Sequence, residues 1–129
     1  MTLVLVLIGG AVGAPLRYVT DLAVQRWHGG WFPWGTLVVN VCGSLLLGIL
    51  LGAAASGPSG AADAASAGVL ALVATGFCGA LTTYSTFSFE TVRLIEDGAI
   101  TAALGNVLLS LGCGLGAGTL GWVLAQAVL

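Results

Sequence analysis

Four long apolar stretches, joined by short loops, take up almost the whole chain and restrict the folds that are open to it. A helix needs roughly 20 apolar residues to cross the hydrocarbon core of a bilayer, and each stretch is long enough to do so with some tilt. Charged residues make up 6% of the 129 residues, whereas soluble domains contain roughly 25%. The sequence therefore predicts an all-α integral membrane protein that forms a single domain over 1–129. The predicted transmembrane helices cover about 3–26, 32–55, 64–92 and 99–128.

The second half of the third stretch does not have the composition of an ordinary lipid-facing helix. Two glycines lower the cost of leaving helical geometry, and five hydroxyl residues compete with the backbone for its own hydrogen bonds. The glycines are Gly76 and Gly79, and the hydroxyl residues are Thr82, Thr83, Ser85, Thr86 and Ser88. In hydrocarbon, an interrupted helix is tolerated only where it is buried in protein or lines a polar cavity. We therefore predict a break near residues 79–85 whose freed carbonyls and hydroxyls form an ion site. A continuous helix with its hydroxyls folded onto the preceding turn is the alternative.

Polar side chains also occur inside the second and fourth stretches. Asn40 has Thr36 and Ser44 four residues to either side, so the three lie on one helical face. Asn106 and Ser110 begin a similar series in the fourth stretch. An asparagine at this depth needs partners for its amide, which either an interhelical contact or a water-filled path can supply. We favour a path on which the polar faces of three helices converge.

The first stretch combines small residues with an arginine. Gly9 and Gly13 are four residues apart, a spacing that lets two helices approach closely and so indicates an interface. Pro15 removes one backbone donor and predicts a kink. Arg17 falls within or near the membrane boundary, where an ionisable group is either functional or extends to the lipid headgroups.

The few charges also bear on orientation and on partners. Arg26 and Arg93 belong to the side opposite the termini, and so weak an asymmetry would let the chain insert in both orientations. The sequence has no lysine, so no basic patch for nucleic acid is expected. It has no recognisable nucleophile–base pair or metal-ligand cluster, so an enzyme is not expected.

Three motifs, in order along the chain, resemble the CrcB/Fluc family of fluoride channels. They are GGAVGAPLRY (Gly9–Tyr18), WGTLVVNVCGSLLLG (Trp34–Gly48) and GFCGALTTYSTFSFE (Gly76–Glu90). The length and the four-helix plan are similar too, so the resemblance covers essentially the whole chain. It implies a passive, highly selective anion channel that exports fluoride across the prokaryotic plasma (inner) membrane and confers fluoride resistance. It also implies an antiparallel, dual-topology homodimer embedded in the lipid bilayer, with two fluoride pathways.

The resemblance further implies roles for individual residues. A structural sodium ion at the dimer centre would be bound by the backbone carbonyls of Gly79 and Thr82 from both subunits. Arg17 and Glu90 would act in the vestibule or in gating. The fluoride pore would be lined by Asn40, Tyr84, Phe87 and Ser88, and by Asn106 and Ser110 from the polar series on the fourth helix. Tyr84 stands where phenylalanine is usual, and Asn106 where some members carry a tyrosine.

Two other classes of protein remain as alternatives. A proton-coupled, dual-topology small multidrug exporter would need a carboxylate embedded in the membrane, and Glu90 at the end of the third stretch is the candidate for it. A small structural subunit of a larger complex would account for the packing glycines but not for the polar faces. A fluoride channel accounts for both.

Overall fold

The computed structural model describes residues 1–56 and 64–128. In this part of the chain all regular structure is helical, and four spans are long and apolar enough to cross a membrane. The helices are α1 (Thr2–His28), α2 (Trp34–Ala55), α3 (Ala64–Val69), α4 (Gly79–Leu81), α5 (Tyr84–Glu96) and α6 (Ile100–Val128), with a π-helical segment, Leu70–Cys78, between α3 and α4. The prediction of an all-helical membrane protein is confirmed. The third span is the one that is built from several pieces.

The third span is longer than predicted at its C-terminal end. The sequence suggested an end near residue 92, but α5 continues to Glu96 and so includes Arg93 in its last turn. The helix stops where Gly98 adopts a left-handed conformation (φ 76°) and donates its N–H to the carbonyl of Ile95 at 3.0 Å. Glycine takes this conformation without steric cost, so the stop signal is Gly98 rather than the charges.

Glycines bring α1 into backbone contact with the π-helical segment. A Cβ at Gly9 would collide with the backbone of Leu72, and a Cβ at Gly13 would collide with the carbonyl of Phe77. On the other side of this contact, a Cβ at Gly76 would lie 2.6 Å from the carbonyl oxygen of Val6. The spacing of small residues in α1 therefore does mark an interface, as predicted. Helix α1 runs through Pro15 without interruption.

Helices α2 and α6 form the most extensive packing in the molecule, and glycine again sets their distance. Gly48 and Gly121 are both buried, and a Cβ on either would collide with backbone of the other helix. Helix α2 also contacts α1, α4 and α5. It therefore lies beside the interruption of the third span, and its side chains are the ones positioned to satisfy the backbone there.

Candidate ion pathway at the broken helix

The third span is interrupted at two consecutive threonines. Helix α4 ends at Leu81, and Thr82 (φ −76°, ψ 155°) and Thr83 (φ −150°, ψ 127°) are both extended. Helix α5 begins at the next residue, Tyr84. The break thus lies within the predicted interval of 79–85, and the alternative of a continuous helix is excluded.

The side chain of Asn40 binds both backbone groups of Thr83. Its Nδ2 donates to the Thr83 carbonyl oxygen at 3.1 Å, and its Oδ1 accepts from the Thr83 N–H at 2.8 Å. The amide of Asn40 thus pairs with Thr83 as a neighbouring strand would. Two extended residues are thereby held in a region where water is scarce and an unsatisfied backbone group is costly.

Hydroxyl groups satisfy the remaining helix ends at the break. Thr83 caps α5, because its Oγ1 accepts from the N–H of Thr86 at 3.2 Å. Thr82 bonds back to the last residue of the π-helical segment, since its N–H and its Oγ1 both donate to the carbonyl of Cys78, at 2.9 and 2.8 Å. The hydroxyl-rich sequence therefore replaces helical hydrogen bonds, for the reason that predicted the break.

Because side chains take these backbone N–H groups, two backbone carbonyls lose their helical hydrogen-bond donors. In a continuous α-helix, the N–H of Thr83 would donate to Gly79 and the N–H of Thr86 would donate to Thr82. Both donors are instead taken by side chains, Asn40 Oδ1 and Thr83 Oγ1. The carbonyl oxygens of Gly79 and Thr82 are thereby freed from their helical partners, and hard carbonyl oxygens of this kind suit a small cation.

A groove of about 370 Å³ opens beside the break and remains open on one side. It brings together six of the residues selected from the sequence, namely Asn40, Gly79, Thr82, Tyr84, Phe87 and Ser110. The rings of Tyr84 and Phe87 are in contact, with centroids 5.8 Å apart and planes inclined at 46°. Tyr84 is 80% exposed in the single chain, so the open side of the groove is bordered by an uncovered aromatic ring.

Two of the predicted pore residues do not line this groove. Asn106 is only 1% exposed and lies behind the wall. Its Nδ2 donates to Thr91 Oγ1 at 2.9 Å, and its Oδ1 accepts from Ser110 Oγ at 3.5 Å. It therefore connects the hydroxyl of Ser110 to α5. Ser88 is half-buried on α5 and is absent from the groove wall.

Arg17 and Glu90 lie outside the groove as well. Arg17 lines a separate cavity of about 180 Å³ on the α1 side of the break, together with Thr36 and Thr83. Glu90 Oε1 accepts from Thr36 Oγ1 at 3.0 Å, whereas Glu90 Oε2 is buried and has no hydrogen-bond partner among residues 1–56 and 64–128. Thr83 lines both this cavity and the groove.

Two hydroxyl residues of the groove wall, Ser44 and Thr83, were not among the pore residues predicted from the sequence. Ser44 was placed on the same face as Asn40 but was not selected, although the four-residue spacing was a sufficient signal. Thr83 was counted among the hydroxyl residues, yet its backbone proves to be the group that Asn40 binds. Asn40 and Thr83 are 43 residues apart in the sequence, so no local pattern could have predicted that they pair.

Comparisons with known proteins agree with the motifs. Residues 4–122 match the family model described as CrcB-like protein, Camphor Resistance (CrcB). The chain is 56% identical to the fluoride-specific ion channel FluC 1 of Frankia casuarinae and 52% identical to that of Streptomyces avermitilis, each over 99% of this chain and 98% of the relative. It is 44% identical to FluC 2 of Mycobacterium bovis, over 94% of this chain and 88% of the relative. The chain therefore belongs to the CrcB family.

Proposed function

We propose that this protein is a passive, highly selective fluoride channel that exports fluoride from the cytoplasm. The observation that carries the proposal is the groove at the break, where hydrogen-bond donors and aromatic rings line a path beside released carbonyls. The relatives named as fluoride-specific ion channels support the choice of ion. They are also bacterial, which agrees with a site of action in a prokaryotic plasma (inner) membrane.

The path requires a second copy of the chain to close it. Gly79 lies at the exposed side of the groove, and a Cβ placed there would meet nothing within 4 Å. Tyr84 borders the same open side. A homodimer would cover these surfaces, and the weak charge asymmetry of the loops suits an antiparallel, dual-topology arrangement.

In this homodimer the carbonyls of Gly79 and Thr82 from both chains would bind a structural sodium ion. The residues fit such an ion, because each chain offers two carbonyl oxygens that have lost their helical donors. The ion would supply a fixed positive charge that joins the two broken helices. Asn40 and Thr83 position the carbonyls by taking those donors.

Fluoride is small and strongly hydrated, so a selective path must replace its water with other donors. One hydrogen of the Asn40 amide is engaged by Thr83, and the other points away from that bond and is available to an anion. The Ser110 hydroxyl lines the same groove, and its one hydrogen faces Asn106 Oδ1 across a long contact of 3.5 Å. To donate to the anion, this hydroxyl has to rotate away from Asn106. The ring edges of Phe87 and Tyr84 carry partial positive charge. They attract the anion without holding it as tightly as a full charge would.

The proton-coupled exporter is the alternative function, and one observation counts against it. An exporter must expose a carboxylate to its substrate where the polar side chains converge, but neither Glu90, which is hydrogen-bonded to Thr36, nor Asp21 lines the groove. The family match also favours a channel over an enzyme, since the relatives are named as ion channels.

Purified protein in liposomes loaded with potassium fluoride provides the test. A fluoride electrode should record efflux that begins once valinomycin balances the charge, and chloride efflux under the same conditions should be smaller by several orders of magnitude. Efflux that requires a proton gradient would favour the exporter. Efflux no faster than from protein-free liposomes would contradict the proposal.

A further inference from the structure

A row of hydrogen bonds runs behind the wall of the groove and joins two of the residues that line it. Ser110 Oγ donates to Asn106 Oδ1 at 3.5 Å, and Asn106 Nδ2 donates to Thr91 Oγ1 at 2.9 Å. Thr91 Oγ1 in turn donates to the carbonyl oxygen of Phe87 at 2.7 Å. Ser110 and Phe87 line the groove, whereas Asn106 between them is only 1% exposed. Every donor in the row therefore points away from Ser110 and toward the third span.

The hydroxyl group of Thr91 fixes the direction of this row. A threonine hydroxyl has a single hydrogen, and Thr91 uses it on the Phe87 carbonyl, so its oxygen is left to accept. The amide of Asn106 must then turn its NH₂ group to Thr91 and its carbonyl oxygen to Ser110. In the opposite orientation, two oxygens would face each other at Thr91 with no hydrogen between them. Asn106 therefore offers Ser110 an acceptor and not a donor.

This acceptor gives Ser110 the wrong polarity for an anion while the groove is empty. As long as the Ser110 hydrogen points to Asn106, only the lone pairs of the hydroxyl oxygen remain for the groove, and these repel an anion. When the hydrogen turns to an ion, the buried Oδ1 of Asn106 loses this donor, which carries a cost. The bond is weak at 3.5 Å, so the hydrogen can be released. The cost of the release is subtracted from the affinity for the ion.

We propose that Asn106 is a positioning residue that lowers the affinity of Ser110 for fluoride, an inference that rests on the proposed function. Asn106 does not touch the ion. It holds the Ser110 hydrogen in the wall of the empty groove and takes it back when the ion moves on. Conduction requires binding that is weak enough for the ion to leave. Asn106 therefore speeds the departure of fluoride from Ser110.

Asn106→Leu is the first test. Leucine branches at the same atom as asparagine but has no acceptor, so the Ser110 hydroxyl can face the groove, and Thr91 can still donate to Phe87. Initial fluoride efflux from liposomes is recorded with an electrode over a range of fluoride concentrations. The half-saturating concentration should fall by about fivefold, the change expected from one weak hydrogen bond, and the maximal rate should fall with it. A merely structural role would lower the rate without lowering the half-saturating concentration.

Thr91→Val tests the same role while leaving Asn106 in place. Valine has the shape of threonine without the hydroxyl, so the Asn106 amide can turn and donate to the oxygen of Ser110. The Ser110 hydrogen is then free, and the half-saturating concentration should again fall, whereas Thr91→Ser should restore the wild-type value. Thr119→Val is the matched control, because the exposed Thr119 hydroxyl donates to carbonyls of its own helix at 3.0 Å, outside the groove. It should conduct as wild type does.

Ser110→Ala shows whether the effect passes through Ser110. In this background, which lacks the hydroxyl, Asn106→Leu should no longer lower the half-saturating concentration. The inference is overturned if Thr91→Val, or a folded Asn106→Leu, keeps the wild-type half-saturating concentration, or if Asn106→Leu still lowers it in Ser110→Ala. Wild-type protein that passes no fluoride at any concentration would instead refute the proposed function, and this inference with it.

Discussion

Removing the side chain of Asn40 should collapse the ion pathway by allowing the third span to become helical. In Asn40→Ala, the N–H and C=O of Thr83 lose the two partners that lie 2.8 and 3.1 Å away. The Thr83 N–H can then return to the carbonyl of Gly79, which withdraws a carbonyl from the proposed sodium site. The broken conformation loses both hydrogen bonds from Asn40, whereas the competing helical conformation gains one hydrogen bond.

The magnitude follows from the two groups that lose their partners. Each unsatisfied buried backbone group costs about 1–3 kcal/mol, and part of that cost is recovered when the helix forms. A net loss of about 2–4 kcal/mol corresponds to a roughly 30- to 700-fold smaller population of the conducting state, at about 1.4 kcal/mol per tenfold change. Asn40→Asp should be at least as severe, because it loses the donor to Thr83 and adds a charge that repels fluoride.

Fluoride efflux from liposomes, recorded with an electrode, measures the effect. Ser56→Ala is the matched control, since Ser56 follows the last residue of the same helix and its hydroxyl donates to the carbonyl of Gly52 at 3.0 Å, away from the break. The control should conduct within about twofold of wild type, as expected for a surface substitution. The reasoning is refuted if Asn40→Ala conducts as well as the control does.

Three further substitutions test separate parts of the account. Phe87→Ile removes a ring edge from the groove and should reduce fluoride efflux to background while the protein elutes at the same volume as wild type. Phe89→Ile, on an exposed ring outside the groove, should conduct normally. Gly13→Leu should prevent stable folding, because the new side chain would collide with the backbone of Phe77. Thermal stability in detergent measures this loss, and Gly112→Leu, at a position with no close neighbour, should be tolerated. Thr83→Ala removes the cap of α5 and should cost about 1 kcal/mol of stability in denaturant titrations, with Thr83→Ser restoring most of it.

The position of the break could be read from the sequence because its causes are local. Glycines and hydroxyl residues weaken a helix wherever they occur in this density, and Thr82 and Thr83 are the residues that leave helical geometry. The asparagine of the second helix was also recognisable, since an amide at that depth needs partners. What the sequence did not reveal was that its partner is the backbone of Thr83.

Other features depended on how the helices rotate and end. Asn106 and Ser110 belong to one polar series, yet only Ser110 lines the groove, because the packing of α6 on α2 turns Asn106 toward Thr91. The extension of α5 to Glu96 depends on a glycine that follows the charged residues. The π-helical segment Leu70–Cys78 has no evident sequence signal, and it occurs where the backbone of α1 approaches most closely.

The carbonyl groups of Gly79 and Thr82 offer the most direct test of the central claim. Solid-state NMR of ¹³C-labelled protein in bilayers reports whether each carbonyl has a helical chemical shift, and whether that shift changes when sodium is replaced by N-methylglucamine. The account predicts a non-helical shift at Thr82 and sodium-dependent shifts at both residues. Helical shifts at both carbonyls, unchanged by the removal of sodium, would contradict it.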